Sequence, residues 1–370
     1  MSPDLTRREV LRGCALAAGA TLLSRGAIAQ AATVQDAVGS TNARATLAEL
    51  LARNRQRDPE YGGGLSNHMS MALGALVDLG ASTERLKQFE ERHAGRLRPL
   101  PTGGPPVAAD DWRAAIGQHD AVPGLVQVFE AAVRERGREP VLRDALPALV
   151  PGLGGAAFHG LIRTAYAVRA EDDLDVAHGL AYWAARSAPL GLLAESAARD
   201  ADPRALLERV RADERLARKS FPGGLISDDM LAAAALPGFA DVAGALDVQA
   251  DSLDRIARAM LALYASTGDF TALHAVTSTH ALRVVMPFVP DRAEAVRHHW
   301  QALTAAYIGI GTPAISEPEA PEPPPWAAIA ERAIASEDEH TIKLVDTCRQ
   351  EQLTRGGALY AVVAAGRVGL

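Results

Sequence analysis

The chain has 370 residues, 48% of them apolar and 22% charged, which is enough to bury a core and too apolar for global disorder. A formal charge of -7 excludes a surface built to coat nucleic acid, which needs an excess of lysine and arginine. Cys14 and Cys348 are the two cysteines, so no disulfide framework, zinc ribbon or C-x-x-C redox motif is available.

The chain begins with an address. Paired Arg7 and Arg8 precede a short apolar run from Cys14 to Leu23, and small residues follow at Ala27 and Ala29. This is the charged, apolar and A-x-A order of a secretory signal, of the twin-arginine type, with cleavage expected after Ala29. The apolar run falls short of the roughly 20 residues a bilayer span requires, so no membrane span is expected in the mature chain. The expectation is export by the twin-arginine machinery, residues 1–29 being removed, to a periplasmic or secreted location. Residues 30–44 read as a flexible segment ahead of one large domain at 45–370.

From there the pattern is helical. Apolar residues recur three and four apart in Ala45–Arg53, Leu125–Arg136, Val176–Ala188, Arg204–Arg218, Val248–Ser266 and Arg292–Tyr307, all rich in Ala, Leu, Arg and Glu. Alternating β-branched or aromatic runs are nearly absent, which predicts an all-α fold. Breakers fall at Pro99–Pro106, Pro151–Gly155, Pro222–Gly224 and Gly311–Pro325. The last holds six prolines and reads as an extended connector, 312–325, ahead of helices at Trp326–Ala335 and Asp338–Leu353.

The common zinc-protease, hydrolase and P-loop motifs are missing. Gly152, Gly154 and Ala157, with Asp172 farther on, approximate a dinucleotide fingerprint. That motif needs a strand feeding the glycine turn, whereas Val141–Val150 reads as helix, so the bland reading is a tight helix-to-helix turn.

The histidines carry more chemistry. Six of the ten, His68, His159, His178, His274, His280 and His340, fall inside apolar helical stretches where a solvated imidazole would be misplaced. His93, His119, His298 and His299 lie among charged or loop residues and are expected at the surface. A lone histidine on an apolar face is usually a core residue bonded to a carbonyl. Several in one helical domain suit a metal site, with one imidazole per facing helix, and imidazole favours iron, zinc or copper. Lys343 stands one helical step after His340 and is one of three lysines in the chain. A desolvated, neutral lysine can take up carbon dioxide to give a metal-binding carbamate. The alternative is a stem that covers the helix while the ammonium reaches water.

Taken in order, His159–Ala167 with Ala181–Ala184, then Leu273–Arg283 and Asp338–Val345, preceded by Asn67-His68 and Ala72–Ala75, resemble the questin oxidase-like family over roughly residues 45 to 365. The resemblance implies oxidative ring cleavage of anthraquinone-type aromatics, by a non-haem iron oxygenase or by a metal-free Baeyer-Villiger-type oxidase using NADPH. In the iron form it implies His68, His159, His274 and His340 as ligands and Lys343 as the carbamate. His178 and His280 remain in reserve, or orient a ligand.

The expectation is therefore an iron-dependent oxygenase taking dioxygen and an aromatic or quinoid substrate. Phe158, Tyr166, Tyr182 and Trp183 are candidate walls for a flat ring. Arg163 and Arg283 are candidates to face a substrate anion. A helical binding protein without turnover is the alternative from another class.

Overall fold

The computed structural model describes residues 41–194, 196, 198–221, 224–316 and 322–370. The expected signal segment 1–29 and residues 317–321 of the connector lie outside the described residues. The described chain is an all-α fold, 68% of the structure being helical. In chain order the helices are α1 (41–54), α2 (Met69–Leu79), α3 (Thr83–Ala94), α4 (Val122–Arg136), α5 (Arg138–Leu149), α6 (His159–Ala170), α7 (Asp173–Arg186) and α8 (Pro203–Ala212). They continue as α9 (Ile226–Ala234), α10 (Phe239–Ala243), α11 (Ser252–Thr267), α12 (Phe270–Val285), α13 (Arg292–Gly309), α14 (Trp326–Ala335), α15 (Glu339–Arg355) and α16 (Leu359–Arg367). Two-residue strands β1 (Glu60–Tyr61) and β2 (Leu65–Ser66) form an antiparallel hairpin between α1 and α2. No described helix is long and apolar enough to cross a membrane.

The helix starts are fixed by acidic caps. Asp172, Asp202, Asp269, Asp291 and Asp338 each accept a backbone N–H from the first turn that follows, where four such donors would otherwise go unpaired. Amphipathic α8 buries Leu206, Leu207 and Val210 and turns its arginines outward. By contrast α2 and α12 are buried along most of their length, as helices surrounded by other helices must be.

Four of these helices define the centre. α2 packs on α6 and on α15, α6 packs on α12, and α12 packs on α15, which closes a ring. α7 covers α6 from outside, and the two approach closely where Gly160 meets Trp183: a Cβ at Gly160 would stand 2.5 Å from the Trp183 Cα. Each ring helix carries one histidine near its start: His68 caps α2, His159 opens α6, His274 lies in the early turns of α12, and His340 is second in α15.

Candidate metal centre

The local sequence explains how each imidazole is delivered. The Asn67 side chain accepts the Met69 N–H at 3.0 Å and donates to Asn54 and to the Asp58 carbonyl, tying the start of α2 to the end of α1. His68 is held between these anchors. His159 follows three residues with left-handed backbone, Ala156, Ala157 and Phe158, at φ of 46°, 52° and 67°. Such a run costs roughly 1 kcal/mol or more per non-glycine residue and persists only where its surroundings impose it. The turn presents the Ala156 carbonyl to His159 Nδ1 at 2.6 Å. In α12 the Phe270 carbonyl accepts from His274 Nδ1 at 2.8 Å. In α15 the cap Asp338 accepts the His340 N–H and lies 3.4 Å from His340 Nδ1.

The four rings converge. His68 stacks on His159 with centroids 4.6 Å apart, His340 meets His68 edge-on at 4.5 Å, and His274 lies 4.9 Å from His159 and 5.3 Å from His340. One nitrogen each from His68, His159 and His340 can be chosen so that all lie within 4.8 Å of one another. Nε2 of His159, His274 and His340 and Nδ1 of His68 are buried without a hydrogen-bond partner. With Nδ1–H of His159 and His274 committed to carbonyls, each Nε2 presents a lone pair, the tautomer a metal needs. Burial, with mutual repulsion and the nearby Lys343 charge, holds His68, His159 and His274 well below the usual imidazole range and also lowers His340. The rings are therefore neutral. Lys343 is 1% exposed, and burial brings its amine down to about 8. It forms no hydrogen bond or ion pair with any described residue.

A cavity of about 360 Å³ opens above the rings, within the range of small-molecule sites. Tyr61, Leu65, Leu225, Ile226 and Phe270 form its apolar walls and Ser66 and Ser227 supply hydroxyls. The hairpin reaches it through the Gly62–Gly64 turn, whose three residues all have positive φ. Phe270 touches both His274 and His340 at 4.7 and 4.6 Å between centroids. Tyr61 and Leu65 come from the hairpin, Leu225 from the loop before α9, and Ile226 and Phe270 open α9 and α12. The hairpin and loop show no helical or strand period, and the glycine run was the one visible signal.

The other expected residues lie elsewhere. Phe158 is fully buried against His299, and the Trp183 indole is buried against α6; neither lines the cavity. The Tyr166 hydroxyl donates to Asp346 at 2.9 Å. Tyr182 is one hydrogen bond behind the cavity wall, its hydroxyl 2.7 Å from Ser66 Oγ and donating to Glu60 at 3.1 Å. Arg163 pairs with buried Asp175, and Arg283 with Glu351 and Asp254, so neither faces the cavity. His178 and Glu130, and His280 and Glu351, form separate pairs away from the four rings. His298 and His299 are buried, contrary to their charged sequence surroundings; His299 Nε2 meets Thr279 Oγ1 at 3.1 Å.

The glycine turn is fed by helix α5 and lacks the strand that a dinucleotide fingerprint requires. Its glycines make room for the end of α7: a Cβ at Gly155 would stand 1.7 Å from the Arg186 carbonyl oxygen.

The sequence profile of the Questin oxidase-like family matches residues 65–348, which includes all four ring histidines and Lys343. The chain belongs to the questin oxidase-like family. No curated protein matches it. Membership makes this questin oxidase-like protein an oxygenase-type enzyme, for which a small-molecule substrate and dioxygen are the reactants.

Proposed function

We propose that this protein is a metal-dependent oxygenase, with iron held by His68, His159, His274 and His340, that cleaves an aromatic or quinoid ring. The observation that carries the reading is the set of buried, partnerless Nε2 atoms of His159, His274 and His340 on three helices, with the His68 ring stacked against His159 beside them. Unmade hydrogen bonds at buried nitrogens cost about 1–3 kcal/mol each, and a shared cation removes that cost. Bound iron would supply the one-electron chemistry with dioxygen that organic side chains lack.

The chain's own residues do the rest. The Ala156 and Phe270 carbonyls fix the tautomers of His159 and His274. Phe270, Leu65, Leu225 and Ile226 offer apolar faces to a flat ring and keep water from it, and Ser66 offers a hydroxyl for orientation. The Lys343 amine, buried and without a hydrogen bond among the described residues, suits carbamate formation: in its neutral form its lone pair bonds to the carbon of carbon dioxide, a C=O π pair moves to oxygen, and the nitrogen proton leaves to solvent. The resulting anion would offset the charge of a cation beside neutral imidazoles. The twin-arginine pattern supports export, checked by finding a mature N-terminus at Gln30.

Elemental analysis of untagged protein tests the reading. Near-stoichiometric iron in the wild type, lost in both His340→Ala and Lys343→Ala, is expected. Metal-free wild type that also fails to take up added iron(II) would sink the proposal, and undiminished iron in both variants would remove those residues from it.

A further inference from the structure

The four histidines are not held alike. His159 and His274 rest on backbone carbonyls, whereas Nδ1 of His68 faces a side chain, lying 3.4 Å from Oε1 of Glu339. Glu339 is itself buried, and Arg96 donates to the same oxygen at 2.7 Å. Beside His68, Glu339 and Arg96 close a small space with Phe89 and His93, residues that do not line the cavity. The Arg96 guanidinium also lies 5.2 Å over the ring of Tyr61, a cavity wall. One arginine thus braces both the hairpin and the carboxylate beside His68.

The surroundings give this carboxylate a second task. All four imidazoles stand near the starts of their helices, where the backbone dipoles point positive ends at the site. Neutral imidazoles add no negative charge, so a cation here meets an unfavourable field unless an anion lies close. Among the described residues, Asp338 and Glu339 are adjacent acids serving different rings, Asp338 its neighbour His340 and Glu339 the distant His68. Asp338 is also committed to capping α15 and to Arg367. The Glu339 carboxylate accepts none of the cap N–H groups.

We propose that Glu339 is a positioning residue for the metal centre: anchored by Arg96, it fixes the His68 ring through Nδ1 and supplies nearby negative charge that a cation requires. The proposal rests on the metal-dependent reading above. Carboxylates behind a ligating imidazole typically account for ten- to hundredfold in metal affinity, about the effect expected here.

The test is titration of the metal-free, full-length protein with cobalt(II), read by its visible absorption, for wild type, Glu339→Gln, Glu339→Ala and Arg96→Met. Glu339→Ala should bind cobalt(II) at least about tenfold more weakly, with a shifted absorption band. Glu339→Gln keeps an acceptor for His68 but loses the charge, so it should recover part of the affinity and the wild-type band. Arg96→Met, a change at a half-exposed side chain, should weaken binding less. It keeps the question open to measurement should the Glu339 variants fail to fold. Thermal unfolding in chelator separates a fold defect from a site defect. Wild-type affinity and spectrum in folded Glu339→Ala, or in Arg96→Met if only that variant folds, would overturn the proposal while leaving the metal reading standing. A wild type that binds no cobalt(II) and no iron(II) would remove both.

Discussion

His68 lies flat against His159, ring centroids 4.6 Å apart and planes inclined by 12°. One ring caps α2 and the other opens α6, so the stack records how two helices meet at their starts. Two imidazolium ions could not share it: like charges this close, away from water, repel strongly. The stack therefore requires at least one neutral ring, and burial, which holds both imidazoles well below their usual range, makes both neutral.

Acid should unfold the metal-free protein through these rings. A histidine kept neutral in the native state but protonated in the unfolded chain weakens folding as pH falls below the unfolded value, here 6.5. His68, His159 and His274 are pushed well below it by burial, and His299 to about 3. Stability should be level above pH 6.5 with respect to these groups and fall below it, each contributing up to about 1.4 kcal/mol per pH unit. Urea unfolding in chelator between about pH 4 and 7 measures the slope, and a flat profile would contradict neutral rings.

Lys343 should act against stability. Its amine falls from 10.5 to about 8, so at neutral pH the native state carries a charge that burial disfavours. The penalty is complete below pH 8 and vanishes as pH rises through 10.5. In carbon-dioxide-free, metal-free buffer at neutral pH, Lys343→Met should stabilise the fold by up to roughly 3 kcal/mol. Iron retention should fall in the same variant. A less stable Lys343→Met protein would mark the amine as a structural partner.

Gly160→Ala poses two effects of opposite sign. Helix propensity favours alanine by about 1 kcal/mol. The added Cβ would stand 2.5 Å from Trp183 Cα, a contact with backbone that cannot swing aside. Overpacking of this kind costs about 1–3 kcal/mol, so a net loss is expected in denaturant unfolding, with weaker iron retention because His159 is adjacent. Net stabilisation would mean that α6 and α7 can separate at little cost.

Tyr182→Phe removes one hydroxyl and leaves Ser66 Oγ and the Glu60 carboxylate each short of a partner. A loss of about 1–3 kcal/mol is expected from chemical denaturation. Since Tyr182 stands behind the cavity wall, iron content should not change. Loss of iron in a folded Tyr182→Phe protein would show that the wall and the rings are coupled.

Much of this architecture was legible where a helix writes its own period. Trp326–Ala335 is helical over the range its sequence indicates, and the glycine turn after α5 is the helix-to-helix turn that its feeding segment implied. Arg204–Arg218 read as one helix, but α8 stops at Ala212, where Asp213 accepts from the Arg215 N–H and turns the chain locally. His298 and His299 have charged neighbours in sequence, yet α13 is packed by α9, α10 and α12, so adjacent positions are both buried. Helical burial on several sides leaves no polar stripe to read. The cavity walls were harder still: Tyr61, Leu65 and Leu225 owe their place to tertiary packing of short, aperiodic connections.

The ring of helices closes only when α15 docks against α2. Its imidazoles are drawn from residue 68 to residue 340, so a nascent chain still on the ribosome has made most of its helices before His340 and Lys343 exist. On the proposed metal-dependent reading, capture of a cation by all four rings would then be a late event, coupled to completion of the whole domain and not to any early subdomain.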